Sequence, residues 1–444
     1  MSNYLLCATP AYGHVAPMVA IGRHLVGAGH QVRMLTGSRF ADLVEAAGME
    51  HISLPVEADY DDRNLAEEFN DGAHLTGIRR LQFDVTQNFV AVMPHQYRGI
   101  REQLLREPAD AVLGETAFTG VIPLLLERDR PRPPVLICGV LPLTVSSRDT
   151  APFGTGLPPS SSGFGRIRNR ALNLLVARGV FRRAQRLAQA HLAALGVNPL
   201  PVFVLDGPSL ADGMLQLTGE GFEYPRTDLR TSVGFVGPVL PAAGDAFQPP
   251  AWWSDLDAGQ PVVHVTQGTL ANGDLDRLIG PTLRALADRE VLVVATTGNE
   301  ESAADLQKTA PANARIAAFL PYDQLLGKVD VMITNGGYGG VQFALAHGVP
   351  LVVAGDTEDK PEIAARVAWA GAGINLRTGS PSSTAVGAAV DRILAEPGFR
   401  GAAGRLAEQF ARTTPLHTIA RALEATVTAR RSGTAVRSGP GPRQ

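Results

Sequence analysis

The sequence has little cysteine and no excess of one charge sign. Its 444 residues include only 2 cysteines, Cys7 and Cys138, which stand far apart with no CxxC spacing and no Cys/His cluster. This predicts reduced thiols and no structural zinc site. Lysine and arginine total 40 against 43 acids, a net charge of −3. A dedicated nucleic-acid-binding protein, which usually carries a basic excess, is therefore disfavoured.

Long apolar runs and common nucleotide motifs are also missing. No run of about 18 apolar residues occurs, and the amino-terminal stretch MSNYLLCATPAYGHVAP has no basic segment, so we expect no secretion signal, no integral membrane association and a cytoplasmic location. Neither GxxxxGK[ST] nor a GxGxxG after the first strand is present. Their absence disfavours P-loop phosphoryl transfer and nicotinamide chemistry.

Short apolar runs alternate with helix-length segments in both halves of the chain, which predicts βαβ units and parallel sheets. We expect two α/β domains, residues 1–238 and 261–430, joined by a linker at 239–260 that is rich in Pro, Ala and Gly. Residues 431–444 have little to bury and are predicted to be a disordered tail. The predicted strands are 4–8, 31–36, 51–54, 110–115, 262–265, 291–295, 331–334 and 351–353.

The loop after the first predicted strand contains a histidine. Open α/β sheets bind ligands at the carboxyl ends of their strands, and Gly13 beside His14 lets the backbone approach a ligand closely. With a helix expected from about residue 15 and Pro17 in its first turn, His14 is a candidate general base. Glu115, at the end of the strand 110–115, could fix its tautomer. The alternatives are a structural histidine and an ordinary helix-capping or surface acid.

The second half has a glycine-rich turn between a predicted strand and a helix. Residues 335–340 read NGGYGG, and GVP follows at 348–350. Exposed backbone N–H groups and the positive end of a helix dipole make such a turn an anion site, and a diphosphate would suit it. Asp359 and Lys360, at the end of the next strand, are suited to sugar hydroxyls. The alternative is a turn that only packs closely.

Three DxD triplets occur, and such pairs hold a divalent metal in one large class of sugar transferases. Three matches among 43 acids are near what chance gives, and carboxylates in such loops usually only face solvent. We therefore expect no metal site. The triplets are Asp59/Asp61, Asp255/Asp257 and Asp274/Asp276.

In combination, the GHVAP loop at 13–17, the segment 319–326, the glycine-rich turn and the GVP segment resemble glycosyltransferase family 1. These nucleotide-sugar-dependent enzymes include bacterial macrolide and aglycone glycosyltransferases and the UDP-glycosyltransferases. The resemblance covers nearly the whole chain. It implies the GT-B fold, with two facing Rossmann-like domains, the acceptor bound mainly by the first and the donor by the second. It also implies His14 as general base, with Glu115 in place of the usual aspartate.

The resemblance further implies a donor site in the second domain. Thr269 matches the phosphate-loop position, Phe319 the aromatic residue that packs on the base, and Leu320 a backbone contact to the base edge. The implied donor-binding residues are Gly268, Thr269, Phe319, Leu320, Asn335, Gly336, Gly337, Gly339, Gly340, Asp359 and Lys360.

Three positions depart from the family pattern. Asn335 stands where the family usually has a diphosphate-binding histidine, and Phe343 where many members have a ribose-binding glutamate. Lys360 replaces the glutamine that often follows the sugar-binding aspartate. These changes leave the identity of the donor open.

Two features of the first half bear on the acceptor and on partners. Aromatic and methionine side chains at element ends or in long loops are candidates for acceptor binding, with core packing as the alternative. They are Tyr12, Phe69, Phe83, Phe89, Met93, Phe118 and Phe153. Residues 166–186 carry seven arginines and no acid. This run is either a solvated helix face or a surface for membrane lipid or an anionic acceptor.

These features predict an inverting glycosyltransferase that uses no metal and no cofactor beyond its nucleotide-sugar co-substrate. It would move a sugar from a UDP- or dTDP-linked donor to a hydroxyl of a hydrophobic small molecule, such as a natural-product aglycone, macrolide or polyphenol. We expect a monomer or homodimer. The alternatives are a nucleotide-sugar epimerase or hydrolase of the same fold, and a non-catalytic helper protein.

Overall fold

The computed structural model describes residues 1–64, 75, 77–127, 130–229, 232–240, 247–268 and 272–432. It contains two parallel sheets, one of seven strands and one of six, so the predicted α/β architecture with two Rossmann-like domains is confirmed. Short Val-, Leu- and Ile-rich segments form these strands because each strand is buried on both faces. Among the described residues, no helix is long and apolar enough to cross a bilayer.

The first sheet has the order β3-β2-β1-β4-β5-β6-β7. In its register, Cys7 of β1 lies between Leu35 of β2 and Gly114 of β4, so the residues that follow these strands meet at one edge. The strands are β1 Asn3–Cys7, β2 Gln31–Thr36, β3 Glu50–Ser53, β4 Ala111–Glu115, β5 Val135–Gly139, β6 Gly213–Gln216 and β7 Val233–Phe235.

The second sheet has the order β10-β9-β8-β11-β12-β13. Thr334 at the end of β11 pairs with Thr266 of β8 and Val353 of β12, which brings three loops together at the carboxyl edge. The strands are β8 Val262–Thr266, β9 Leu292–Thr296, β10 Ala314–Ala317, β11 Val331–Thr334, β12 Leu351–Val353 and β13 Gly373–Asn375.

Helices cover both faces of each sheet. They are α1 Tyr12–Gly27, α2 Ala41–Glu45, α3 Gly77–Asp84, α4 Met93–Arg106, α5 Val121–Leu125, α6 Gly163–Leu175, α7 Arg182–Ala194, α8 Ile279–Leu286, α9 Glu300–Gln307, α10 Tyr322–Leu325, α11 Tyr338–Ala346, α12 Lys360–Trp369, α13 Ser383–Ala395, α14 Pro397–Ala411 and α15 Pro415–Arg431. One π-helical segment, Val85–Ala91, follows α3, and a second, Val176–Val180, follows α6.

Alternate residues along each strand pack into separate hydrophobic cores on the two faces of each sheet. In β1, Leu6 packs with α1 whereas Leu5 packs into the cluster on the opposite face. The second sheet divides in the same way, with Met332 in one cluster and Ile333 in the other. This two-sided burial supplies the hydrophobic stabilisation of both domains.

The last helix, α15, packs on the first domain and not in the core of the second. Ile419, Leu423 and Val427 of α15 belong to the hydrophobic cluster built around α1 and the first sheet. The segment 261–430, predicted for the second domain, thus includes a helix that packs on the first. In the predicted linker, Trp252 and Trp253 pack against the second domain's core. Residues 241–246 and 433–444 lie outside the described residues.

The structure corrects one local expectation near His14. Helix α1 begins at Tyr12 rather than near residue 15, so Pro17 lies inside the helix and not in its first turn. The earlier start is favoured because Asp62 accepts a hydrogen bond from the Tyr12 backbone N–H at 2.8 Å, which satisfies one free donor of the helix terminus. Gly13 and His14 consequently belong to the first turn.

Candidate functional site

His14 and Glu115 are in direct contact at the carboxyl edge of the first sheet. Nδ1 of His14 lies 2.9 Å from Oε2 of Glu115, which is fully buried at the end of β4. The Glu115 carboxylate also accepts backbone N–H groups from Thr9 at 3.1 Å and Ala117 at 2.7 Å. Since β1 and β4 are neighbours, the loops that follow them hold the acid and the imidazole together.

The electrostatics of this pair favour an ionised acid and a strong base. Burial raises the pKa of Glu115, but the charge and hydrogen bond of His14 and the two backbone donors outweigh it, and the net pKa is lowered. Burial likewise lowers the pKa of His14, yet Glu115, Asp359 and Glu358 together raise it above the ordinary value of 6.5. An imidazole whose Nδ1–H donates to a carboxylate keeps Nε2 free to accept a proton.

Asp62 fixes the loop that carries His14. The sequence contained no indication of this role for Asp62. Besides capping α1 through the Tyr12 backbone N–H, its buried carboxylate pairs with Arg39. Asp62 stands next to Asp61 of a DxD triplet, but nothing in the local pattern connects it to residue 12. The contact exists only because the chain after β3 returns to the first βα loop.

The glycine-rich turn of the second sheet meets the loop after β8. The side-chain amide of Asn335 donates to the backbone carbonyl of Gln267. Gly268 has φ +79° and Gly336 has φ +90°, a left-handed conformation that glycine adopts without strain. A Cβ on Gly268 would lie 3.6 Å from the Asn335 amide nitrogen. Gly268, Asn335 and Gly336 therefore converge, as the sequence predicted for a phosphate site.

Helix α11 starts at this turn with an open amino terminus. Its N-cap residue is Gly337, and no side chain caps the helix. A Cβ on Gly339 would meet nothing within 4 Å, whereas one on Gly340 would face Tyr322. The first-turn N–H groups and the positive end of the helix dipole are thus available to an anion such as a diphosphate.

Charged groups of the second domain lie opposite His14. Asp359 and Lys360 stand at the start of α12, and the Lys360 ammonium pairs with Glu358. Burial, together with the nearby Glu358 charge, raises the pKa of Asp359 to about 6, although Lys360 and His14 oppose the shift. The charges of Asp359 and Glu358 in turn raise the pKa of His14.

The remaining donor candidates occupy the same edge of the sheet. Phe319 follows β10 and is 63% exposed, while Leu320 beside it is buried in the domain core. Phe343 packs edge-on against Tyr322, with ring centroids 5.5 Å apart, so this position supplies packing rather than a hydroxyl contact. Thr269 lies outside the described residues.

The structure divides the acceptor candidates into two groups. Tyr12 is 43% exposed beside His14, and Phe83, Phe89 and Phe153 are half-buried. Two of the predictions are corrected: Met93 and Phe118 are fully buried in hydrophobic clusters, so they present no surface to an acceptor and act as core residues. Phe69 lies outside the described residues.

The DxD carboxylates have protein partners. Asp61 pairs with Arg63, Asp255 with Arg315 and Asp257 with Lys328. Asp59 accepts the backbone N–H of Ser38, Asp274 that of Asp276, and Asp276 pairs with Arg284. Within the described residues, no group of three or more His, Cys, Asp or Glu side chains is arranged to hold a metal ion.

A loop of the first domain is hydrogen-bonded to helix α12 of the second domain. The sequence contained no indication of this contact either. The Glu362 carboxylate accepts backbone N–H groups from Gly154 at 3.0 Å and Gly156 at 2.7 Å. Glu362 also pairs with Arg366 at 2.6 Å, one turn further along α12. The i, i+4 spacing of 362 and 366 is a sequence signal that could have indicated the local pair, but no sequence signal indicated the bonds to the loop.

A histidine–carboxylate pair on one Rossmann-like domain and a glycine-rich turn at an uncapped helix terminus on a second are the features expected of a glycosyltransferase of the GT-B type. The solved structure of CalG4, the calicheamicin glycosyltransferase, superposes with a TM-score of 0.73 at 20% identity, over 99% of this chain and 100% of that one. The glycotransferase of kitacinnamycin gives a TM-score of 0.72 at 18% identity, over 96% and 98%. These neighbours confirm the GT-B fold.

Sequence relatives extend the comparison to function. Residues 282–426 match the family described as erythromycin biosynthesis protein CIII-like, C-terminal domain. The chain is 42% identical to 4'-demethylrebeccamycin synthase of Lentzea aerocolonigenes, over 92% of this chain and 96% of that one. It is 36% identical to UDP-glycosyltransferase 2 of Phaeomoniella chlamydospora, over 94% of each. The chain belongs to glycosyltransferase family 1, and it is an enzyme that transfers a sugar from a nucleotide-sugar donor.

Proposed function

We propose that this enzyme is an inverting, metal-independent glycosyltransferase that moves a sugar from a UDP- or dTDP-linked donor to a hydroxyl of a hydrophobic small molecule, of natural-product aglycone, macrolide or polyphenol type. The observation that carries the proposal is the 2.9 Å contact between His14 Nδ1 and the buried Glu115 carboxylate. That contact orients a histidine base at the mouth of the cleft, where an acceptor hydroxyl would enter.

In the proposed reaction, His14 Nε2 removes the proton of the acceptor hydroxyl while its oxygen attacks the anomeric carbon of the donor sugar. The bond from that carbon to the diphosphate breaks, and the configuration inverts. Glu115 stabilises the imidazolium that forms. Asn335 and the backbone N–H groups of 336–340 stabilise the negative charge on the departing diphosphate. Positioning of the two substrates supplies much of the remaining acceleration.

The names of relatives support both parts of the proposal. Several carry UDP in their names, among them UDP-glucosyltransferase A1 of Starmerella bombicola at 33% identity. A structural neighbour, the spinosyn rhamnosyltransferase SpnG, was solved with thymidine diphosphate and with spinosyn aglycone, at 18% identity. The names therefore favour a pyrimidine nucleotide and a small-molecule acceptor without choosing between the two bases.

The test combines binding with turnover. Calorimetric titration of UDP and dTDP in EDTA should show binding of one nucleotide without metal, and that nucleotide then selects the panel of donors for assays with aglycone acceptors. His14→Ala should lower the transfer rate by roughly 10²- to 10⁴-fold and leave nucleotide affinity unchanged. His24→Ala, on the same helix but away from Glu115, is the matched control.

Each rival function has its own signature in these assays. An unimpaired His14→Ala enzyme would contradict the general-base assignment. Conversion of the nucleotide sugar without any acceptor would favour an epimerase or hydrolase of the same fold. Nucleotide binding without turnover of any activated sugar would favour the non-catalytic helper.

A further inference from the structure

Helix α6 exposes a row of large apolar side chains. Phe164 is 81% exposed, Ile167 70%, Leu174 50% and Leu175 61%. Steps of three residues from 164 to 167 and seven from 167 to 174 return to the same side of an α-helix, and residue 175 lies next to 174 on that side. Contiguous exposed apolar surface of this kind marks an interaction site more often than an ordinary solvated face.

Five exposed arginines follow along α6, the π-helical segment and α7. Arg170, Arg178, Arg182, Arg183 and Arg186 are all exposed, and their guanidinium groups form no hydrogen bond or ion pair within the part of the chain that the structure describes. No acid occurs between residues 163 and 194, although the whole chain has a net charge of −3. The partner of this surface should therefore be negatively charged.

Arg166 and Arg168, on α6, differ from these five arginines because their side chains have structural partners. Arg166 pairs with the buried carboxylate of Asp149 at 2.7 Å, and Arg168 donates to the Pro158 carbonyl. These bonds fasten α6 to the loop before it. The five exposed arginines make no such bonds, so the fold does not account for their charge.

We propose that this surface, which we call the α6–α7 face and which consists of the outward side chains of 164–186, docks on a membrane rich in anionic lipid. The apolar side chains of α6 would enter the boundary between head groups and acyl chains, and the arginines would bind lipid phosphates. A 13-residue helix is about 20 Å long, too short to span a bilayer and suited to lying in its interface.

A lipid surface fits this face better than a second copy of the chain. A two-fold contact between copies would set this surface against itself, and the surface holds no acid between residues 163 and 194 that could pair with the arginines. Lipid phosphates, in contrast, are spread over a plane, and the arginines are spread over α6, the π-helical segment and α7. The docking does not depend on which acceptor the enzyme uses.

The experiment is sedimentation of the full-length protein with vesicles of phosphatidylcholine alone and of an equimolar mixture with phosphatidylglycerol, at low and high salt. One variant removes the apolar row and another reverses three arginines, and each has a matched control at exposed positions elsewhere. The variants are Phe164→Ser with Ile167→Ser and Leu174→Ser, and Arg178→Glu with Arg182→Glu and Arg183→Glu. The controls are Val56→Ser with Leu105→Ser and Leu394→Ser, and Arg405→Glu with Arg412→Glu and Arg421→Glu.

We expect the wild type to bind the anionic vesicles, more weakly at high salt and far more weakly to phosphatidylcholine. Reversing three arginines should lower this affinity about 100-fold or more, since each basic residue near an anionic surface contributes about fivefold. The apolar variant should also lose binding, and the controls should retain it. Unchanged UDP affinity and circular dichroism would show that every variant is folded.

Several results would overturn the proposal. One is a wild type that binds neither vesicle, and another is binding that neither variant weakens. A dimer that the apolar variant dissociates, without vesicle binding, would make the face an interface between copies. Loss of sugar transfer in the apolar variant with vesicle binding intact would assign the row to the acceptor site instead.

Discussion

Arg366 and Glu223 belong to different halves of the chain, yet their side chains form a buried ion pair with 3.1 Å between Nη2 and Oε2. Arg366 also pairs with Glu362, and its guanidinium carbon lies 4.2 Å from the centre of the Tyr224 ring. Through Glu362 the same group reaches the loop at Gly154. One buried cation thus joins the donor-side helix α12 to two segments of the first domain.

Replacing this cation should strongly destabilise the protein. In Arg366→Met, two buried carboxylates would lose their main counter-charge, and an uncompensated buried charge typically costs about 3–5 kcal/mol. Urea unfolding measures the change. Arg392→Met, which breaks the exposed pair with Glu396, is the control and should have a far smaller effect because water screens that pair. Equal changes in the two variants would contradict a special role for Arg366.

Glu115→Gln should shift the pH dependence of catalysis as well as its rate. His14 accepts a proton only when neutral, so activity should fall as pH drops through its pKa, which Glu115, Asp359 and Glu358 hold above 6.5. Without the carboxylate, burial lowers this pKa, and the acid limb of kcat/KM should move to lower pH. The plateau rate should fall between about 10-fold and 10⁴-fold.

The glutamine also changes the hydrogen bonding at this position. Glu115 accepts three N–H donors with two oxygens, whereas a glutamine amide offers one oxygen, so some loss of stability of about 1–3 kcal/mol should accompany the substitution. Asp359→Asn is the companion variant, because it removes a second carboxylate with a pKa of about 6 and leaves the Glu115 contacts intact. An acid limb that Glu115→Gln leaves in place would show that His14 is not the titrating base.

Two glycines of the anion-binding turn should respond differently to alanine. A Cβ on Gly336 would lie 2.8 Å from Val353 at a φ of +90°, so Gly336→Ala should destabilise the fold by about 1–3 kcal/mol. Gly339→Ala meets open space and should stabilise the helix slightly. Its methyl group would nevertheless obstruct a diphosphate at the helix terminus, so UDP or dTDP affinity should fall. Unchanged affinity would remove this turn from the donor site.

Phe319→Ala tests the base-binding position. The side chain is 63% exposed, so its removal should hardly change the free energy of unfolding. Loss of stacking on a nucleobase typically costs about 1–3 kcal/mol, which corresponds to about 5- to 150-fold in Kd. Affinity for the nucleoside should fall as well, whereas affinity for pyrophosphate should not. Leu394→Ala, at another exposed position, is the control, and a parallel loss of pyrophosphate affinity would argue against stacking.

Position within the sheets explains part of the difference between the strands that periodicity predicted and those it missed. The predicted strands include β1, β4, β8 and β11, which are buried on both faces and therefore appear as continuous apolar runs. Of the missed strands, β7, β10 and β13 lie at sheet edges, whereas β5 and β6 lie inside the first sheet. The edge strand β3 was predicted. Edge strands are short and receive one row of hydrogen bonds from a neighbour, so their own residues need carry little apolar pattern.

By itself, the sequence determined the class of fold, the glycine-rich turn at 335–340 and the candidacy of His14, because these depend on local periodicity, glycine and strand ends. Only the tertiary structure revealed contacts that no local pattern indicated: Asp62 with the backbone of Tyr12 across 50 positions, and Glu223 with Arg366 across 143. It also showed that Met93 and Phe118 are core residues and that five arginines of the α6–α7 face have no side-chain partner among the described residues. Burial and ion pairing depend on which segments the fold packs together, and neither is encoded in the spacing of neighbouring residues.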